Sequence, residues 1–529
     1  METLKKGVKR PRIKHSEDIF TLKVRTESNS LGVLKTLIVL AIIFSQAAIL
    51  IVANLFVSSI FQWFVAVSVA ITLITSIYVL SSEFHGHAKA VWIFFLLVCF
   101  EFGYLFFFMS DKHILFARQR RIYQKIFEQN KGLQKQKDMT SIECKETKSC
   151  CKYLYTAGDF VAHSDSKVEY YPSGTKFFDA VLEELEKAQE FVFIEFYLVA
   201  NGVLLNRTLS ILKEKVKKGV DVRIIYDDMG SHGTLKRKTK KDIVKAGIKL
   251  QSFNKMVPIF NVALNLRDHR KIIVIDGKVS FTGGANLADE YINEKRMHGY
   301  WKDCGVKIEG RATDNFTIAF LEQWQFLTKQ RDNVADFLNK AEDFSAESDG
   351  VVVPFVTGPN YHLSIAQNVY ANVIANAKEK IYIMTPYFIP DETITNLLRS
   401  KARAGVDVRI VLPEVADKKI VYIVSRNNAE KLIDCGVKVF TMTHSFVHSK
   451  VVLSENSAVV GSINMDLRSF GQQFESAILT NDMSTMQQVE QDFEKTISYS
   501  QEITQNLKKR NKFLYRVMAG ILNLISPFM

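Results

Sequence analysis

The chain has 529 residues, with 69 basic and 56 acidic side chains and a net charge of +13. At 24% charged and 47% hydrophobic it is neither disordered nor fibrous, and its length suits about three folded units. Six cysteines in so long a chain exclude a disulfide scaffold.

Residues 1–31 read as a basic tail and residues 32–110 as a transmembrane region. Thr36–Val57 and Phe61–Leu80 carry no charge. Each can cross a bilayer core of ~30 Å, which takes about 20 helical residues. A third run, Val91–Met109, is interrupted by Glu101 and is the weakest span, because a mid-bilayer carboxylate needs a partner or a water path. These runs are too long for a signal-peptide core, so they are expected to stay as anchors of a multi-pass cell-membrane protein. Lys5, Lys6, Lys9, Arg10, Arg12 and Lys14 draw the N-terminus inside, and Arg118, Arg120, Arg121 and Lys125 draw the segment after the third run to the same side. Three spans cannot satisfy both ends, so the number and orientation of spans stay open. Residues 111–157 read as a basic juxtamembrane linker attracted to anionic lipid. Cys144, Cys150 and Cys151 within it are expected to be reduced surface thiols.

Two α/β domains are expected next, at 158–345 and 346–505, because the chain repeats itself. In the first copy, a helix over Phe177–Ala188 precedes a buried strand, Phe191–Leu198; a helix over Leu204–Lys218 precedes a strand, Val220–Tyr226. In the second, helix Ile365–Ala377, strand Ile381–Phe388, helix Thr393–Arg403 and strand Val406–Leu412 follow the same order. The junctions are nearly the same text: Lys218-Gly219-Val220-Asp221-Val222-Arg223-Ile224 against Ala404-Gly405-Val406-Asp407-Val408-Arg409-Ile410. Strands alternating with helices predict α/β/α layers around a parallel or mixed sheet, the two halves related by a pseudo-twofold axis.

The chemistry is duplicated too. His269-Arg270-Lys271 precedes Asp276 and Gly283-Gly284-Ala285-Asn286; His448-Ser449-Lys450 precedes Glu455 and Gly461-Ser462-Ile463-Asn464. Residues two apart on a strand share a face, so His269 projects with Lys271 and His448 with Lys450. Asp276 lies an odd number of residues from His269 and should face away or lie beyond the strand end. That parity suggests a structural role for it and for Glu455. The candidate catalytic set is therefore His269, Lys271, Asp276, His448, Lys450 and Glu455, with Asn286 and Asn464 as phosphate binders. If the copies meet, two imidazoles, two ammonium groups and two amides suit a phosphodiester. One imidazole attacks phosphorus, the other serves as general acid and base, and the lysines supply positive charge without a metal or cofactor. Each histidine needs an acid to fix its tautomer, and Glu290 and Glu475 are the candidates.

Together with Ile194-Glu195-Phe196-Tyr197, Asp228-Met229-Gly230-Ser231, Asn265-Leu266-Arg267-Asp268 and Asn464-Met465-Asp466-Leu467-Arg468-Ser469-Phe470, these motifs resemble the phospholipase D superfamily. More narrowly, the chain from about Ala90 onward resembles bacterial cardiolipin synthases of that type, with Glu455 standing where the motif has Asp. The resemblance implies a transphosphatidylation between two phosphatidylglycerols that releases glycerol, with His269 as nucleophile and His448 as general acid and base. It also places the catalytic domains on the cytoplasmic side. Rival readings are a phospholipase D or another phosphatidyltransferase, a nuclease of the same fold, and an inactive membrane scaffold. Several spans and an apolar tail favour phosphatidylglycerol and anionic lipid as partners over nucleic acid.

Three further features stand out. Tyr197 and Tyr387 occupy matching places and read either as lining of the substrate channel or, the preferred reading, as plain core aromatics. The run Lys236–Lys241 suits either anionic headgroups or a solvated helix start. Residues 506–529 read as an amphipathic segment, with Leu514, Val517, Ile521, Leu522 and Ile525 on one face.

Overall fold

The computed structural model describes residues 59–82, 86–110, 112–134, 144–255, 266–341, 349–508 and 512–524, with a few isolated positions besides. They fall into two compact units, one of residues 1–82 with 92–104, the other of residues 83–91 with 105–529.

In the first unit, Ser59–Ser81 is a single helix. Among the described residues it is the one helix long and apolar enough to cross a membrane. The run Thr36–Val57 lies almost wholly outside the described residues. The third expected span is not one helix: Gly86–Val98 ends before Glu101 and Gly103–Ser110 begins after it. The Cys99 carbonyl accepts from the N–H groups of both Phe102 (3.2 Å) and Gly103 (2.6 Å), which closes a turn around a buried Glu101.

The second unit contains two mixed sheets. In chain order the first half carries β1 (Ser166–Tyr171), β2 (Phe191–Phe196), β3 (Asp221–Asp227), β4 (Lys249–Phe253), β5 (Arg267–Asp268), β6 (Lys271–Ile275), β7 (Val279–Gly283), β8 (Tyr300–Lys302) and β9 (Gly305–Gly310). The second half carries β10 (Val352–Thr357), β11 (Lys380–Met384), β12 (Phe388–Ile389), β13 (Asp407–Pro413), β14 (Lys438–Met442), β15 (Ser445–Val447), β16 (Val451–Ser454), β17 (Ala458–Gly461), β18 (Met465–Asp466), β19 (Gln473–Thr480) and β20 (Ser500–Glu502). The sheet orders are β1-β9-β7-β6-β2-β3-β4 and β10-β19-β17-β16-β11-β13-β14-β20, so the repeated text is a repeated topology. In each sheet the strands joined by helices run parallel and the strands of the histidine motif run antiparallel to their neighbours.

The local chemistry accounts for these elements. Helix Gly174–Lys187 buries Phe177, Phe178, Val181, Leu182 and Leu185, one helical face, and the Ser173 side chain accepts from Lys176 N–H at its start. β2 is buried along its whole length, as expected of a strand covered on both faces. The twin junctions end their helices alike. Gly219 and Gly405 have φ of +91° and +94°, and the next residue's N–H returns to a carbonyl one turn back (Val220 to Lys215, Val406 to Lys401, both 3.1 Å). Nothing lies within 4 Å of a Cβ added at either glycine, so left-handed backbone, not space, requires glycine there.

Helix Thr313–Thr328 packs against strands of both sheets. Its Asn315 amide donates to the carbonyls of Val161 (2.9 Å) and Pro354 (2.8 Å). Residues 111–157 include two helices, Lys112–Asn130 and Lys145–Gly158. Tyr123 stacks on Phe326 at 3.9 Å and donates to Gln323 at 2.9 Å. Cys150 and Cys151 are not surface thiols. With Leu154 they form the buried face of their helix, and burial pushes the Cys151 thiol up to about 12.

Candidate active site

Two short parallel pairings stitch the halves together. β5 pairs with β19, and β15 pairs with β8. Each pairing delivers one histidine and one acid. His269 follows β5, and its N–H donates to the Phe474 carbonyl (2.8 Å). The next residue on that strand is Glu475, whose Oε2 lies 2.8 Å from His269 Nδ1. His448 follows β15, and its N–H donates to the Lys302 carbonyl (2.7 Å). The next residue there is Asp303, whose Oδ2 lies 2.7 Å from His448 Nδ1. Each imidazole therefore takes its acid from the opposite half. With Nδ1–H donated to a carboxylate, Nε2 carries the lone pair left for chemistry.

Glu475 stands where a histidine-orienting acid was expected; Glu290 does not. Glu290 lies on a short helical turn at the cleft edge, and Asp303 holds the place expected of it. Strand register shows the equivalence. Gly283 pairs with Gly305, two residues after Asp303, and Gly461 pairs with Ala477, two after Glu475. A longer loop between Asn286 and β9 disguises this in the sequence.

The surroundings of the two acids differ. Glu475 accepts from the hydroxyls of Ser462 (2.5 Å) and Ser469 (2.7 Å). At the position matching Ser462 stands Gly284, where an added Cβ would lie 2.1 Å from Asp303 Oδ1.

Both lysines are buried. Lys271 Nζ donates to the His269 carbonyl (2.7 Å) and Lys450 Nζ to that of His448. Burial pulls Lys271 down to about 7 and Lys450 to about 8. Burial and then the adjacent ammonium groups hold His448 near 4 and His269 well below its ordinary value. Both shifts favour the neutral imidazole in the unliganded site. Asn286 accepts from Leu198 N–H (3.2 Å) and donates to the Tyr291 phenol (2.7 Å). Asn464 is buried, with its Oδ1 unpartnered among the described residues.

Asp276 and Glu455 sit apart from this chemistry, which corrects their inclusion in the catalytic set. Asp276 lies just past β6, at the opposite end from His269, with φ of +53°. Its carboxylate accepts from the N–H groups of Gln189, Glu190 and Phe191 (2.7, 2.7 and 2.9 Å) at the entry to β2. Glu455 does the same for Lys378, Glu379 and Lys380 at the entry to β11. Both acids tie the motif strand to its antiparallel neighbour, β6 to β2 and β16 to β11.

His269, His448, Asn286 and Asn464 line one cavity of about 340 Å³. Tyr197 and Tyr387 line it too, and so are not plain core aromatics. The Asp227 carboxylate accepts from Met229, Gly230 and Asp268 N–H (2.9, 2.9 and 3.0 Å), holding the turn that brings Met229 and Gly230 to the wall. Asp303, Trp301 and Tyr291 are the site residues that sequence reasoning missed.

The family described as cardiolipin synthase, PLD-like domain, matches residues 181–301 and 370–497. The chain is 30% identical over 454 residues to cardiolipin synthase 2 of Bacillus anthracis, covering 84% of this chain and 87% of that one. It is 32% identical over 377 residues to a cardiolipin synthase of Staphylococcus aureus strain N315, covering 71% and 76%. The chain belongs to the phospholipase-D-like cardiolipin synthase family. A crystal structure of the phosphatidylserine synthase of Haemophilus influenzae shares the fold of this family member, with a TM-score of 0.56 at 15% identity over 72% of this chain and 99% of that one.

Asp303→Asn should leave the fold intact but present the wrong tautomer of His448, lowering turnover on the order of ten-thousandfold as in other acid-oriented histidines; turnover within threefold of wild type would contradict the pairing. Asp276→Ala should leave three backbone N–H groups unpaired and cost about 3 kcal/mol of stability. Thermal unfolding would show that loss, while the activity of the folded fraction stays within a few-fold of wild type.

Proposed function

We propose that the cleft transfers a phosphatidyl group from one phosphatidylglycerol to another, releasing glycerol and forming cardiolipin. The observation that carries this reading is a pair of imidazoles, each bonded to a carboxylate from the other half, opening on one cavity. His269 Nε2 attacks phosphorus, a P–N bond forms, and the P–O bond to glycerol breaks as His448, entering the step as the imidazolium, hands its Nε2 proton to the leaving oxygen. The headgroup hydroxyl of a second phosphatidylglycerol then attacks, giving its proton to His448 as the P–N bond breaks. The ammonium groups of Lys271 and Lys450 and the amides of Asn286 and Asn464 offset the negative charge that develops on the non-bridging oxygens. Glu475 already shares its charge with two serine hydroxyls, which favours a neutral His269 and so the nucleophile's role.

The enzyme is a phosphatidyltransferase of the phospholipase D type, and we read it as held at the inner face of the cell membrane. Helix Ser59–Ser81 supports a membrane anchor. The tail supports a second contact with lipid. Helix Phe513–Leu524 packs on Lys419–Ile433, with Tyr515 donating to the Ile423 carbonyl (3.0 Å), and exposes Phe513, Leu514, Val517 and Met518 beside Lys512 and Arg516. An apolar stripe flanked by cations suits an anionic bilayer surface.

Purified protein in phosphatidylglycerol vesicles should yield cardiolipin and glycerol in equal amounts. Phosphatidic acid in place of cardiolipin would make it a hydrolase. His269→Ala and His448→Ala should each abolish turnover, and full activity in either would defeat the shared site. Affinity for a phosphonate analogue of phosphatidylglycerol should fall as pH rises past about 7 to 8, where Lys271 and Lys450 lose their charge in the free enzyme. A calorimetric titration that is flat from pH 6 to 9.5 would remove the lysines from phosphate binding.

A further inference from the structure

The two sides of the cavity are not alike. Beside His269, among the described residues, only Tyr197 places a ring, at 5.0 Å between centroids. Beside His448 stand Tyr291 (5.3 Å), Trp301 (5.5 Å) and Phe446 (5.7 Å), with His298 6.1 Å from Trp301 and 6.0 Å from Phe446. This aromatic wall holds uncommitted donors. The indole N–H of Trp301, a residue 7% exposed, meets no acceptor among the described residues. The Tyr291 phenol accepts from Asn286, which leaves its own O–H to donate. Half-buried Glu290 adds an acceptor at the same edge of the cavity.

We propose that the His448 side is a subsite for a small polyol, the glycerol headgroup of the lipid. This rests on the reading of function above and names the part of the substrate that the site selects. A buried donor without a partner disfavours an apolar ligand and rewards one that brings an oxygen. Aromatic faces accept the C–H edges of a polyol while the donors and Glu290 take its hydroxyls. The location fits the chemistry, since the leaving alcohol and the entering alcohol both exchange a proton with His448. In cardiolipin formation both are glycerol groups, so one polyol subsite serves both half-reactions, occupied first by the departing headgroup and then by the attacking one.

The test compares phosphatidylglycerol with phosphatidylpropanol, whose headgroup lacks both free hydroxyls, as donors in mixed micelles. Release of the alcohol is followed, so the comparison holds whether the acceptor is lipid or water and stays separate from the identity of the product. Trp301→Phe and Tyr291→Phe should each lower the ratio of kcat/KM for phosphatidylglycerol over phosphatidylpropanol about tenfold, the worth of one hydrogen bond. If either variant fails to fold, Glu290→Ala on the cavity edge, which removes the acceptor, carries the same expectation. A ratio unchanged in the folded variants would overturn the subsite. So would a loss confined to phosphatidylethanolamine, which would mark the wall as a cation box instead.

Discussion

The site depends on an exchange of carboxylates between the two halves. A backbone hydrogen bond from each histidine fixes where the opposite strand lies, and the residue after that bond is the acid. Neither His269 nor His448 finds its carboxylate within its own half. The duplication is therefore mutual, and the only place where both pairs exist is the line on which the halves meet. Two short parallel ladders, of two and three residue pairs, orient both rings.

Behind His269 the fold buries charge that does not face the cavity. Glu195 and Asp268 are both fully buried, and burial raises both carboxyl groups. Arg270 Nη1 lies 3.7 Å from Glu195, and its guanidinium rests over Phe474 at 5.2 Å. Two acids against one cation leave room for a shared proton, which spares the protein a second buried negative charge. The arrangement anchors β2 and β5 to the strand that carries Glu475, so the polar interior on this side reinforces the seam.

Much of this was legible in the sequence, because the repeat is written in local text. The helix-ending glycines, the apolar strands and the histidine–lysine spacing all encode neighbours a few residues away. What stayed hidden depends on distant partners. β5 and β8 are too short for any periodicity, and a longer loop displaces Asp303 from the spacing that Glu475 follows. Parity did place Asp276 beyond its strand, but sequence gave no reason to expect three backbone partners waiting at β2. Cys150 and Cys151 lie among charged residues, and only the helix they share shows them to be one buried face. The helix breaks at Glu101, and the turn there is closed by the Cys99 carbonyl, which local text does not encode.

Gly284 and Ser462 record how the halves have parted company. Asp303 sits against a bare glycine, while the longer Glu475 receives a serine hydroxyl. The length of the acid and the size of its neighbour are thus coupled within each half. A methylene gained on one without room made by the other leads to collision or a stranded carboxylate, so drift between the two versions must cross a non-functional intermediate or change both positions at once.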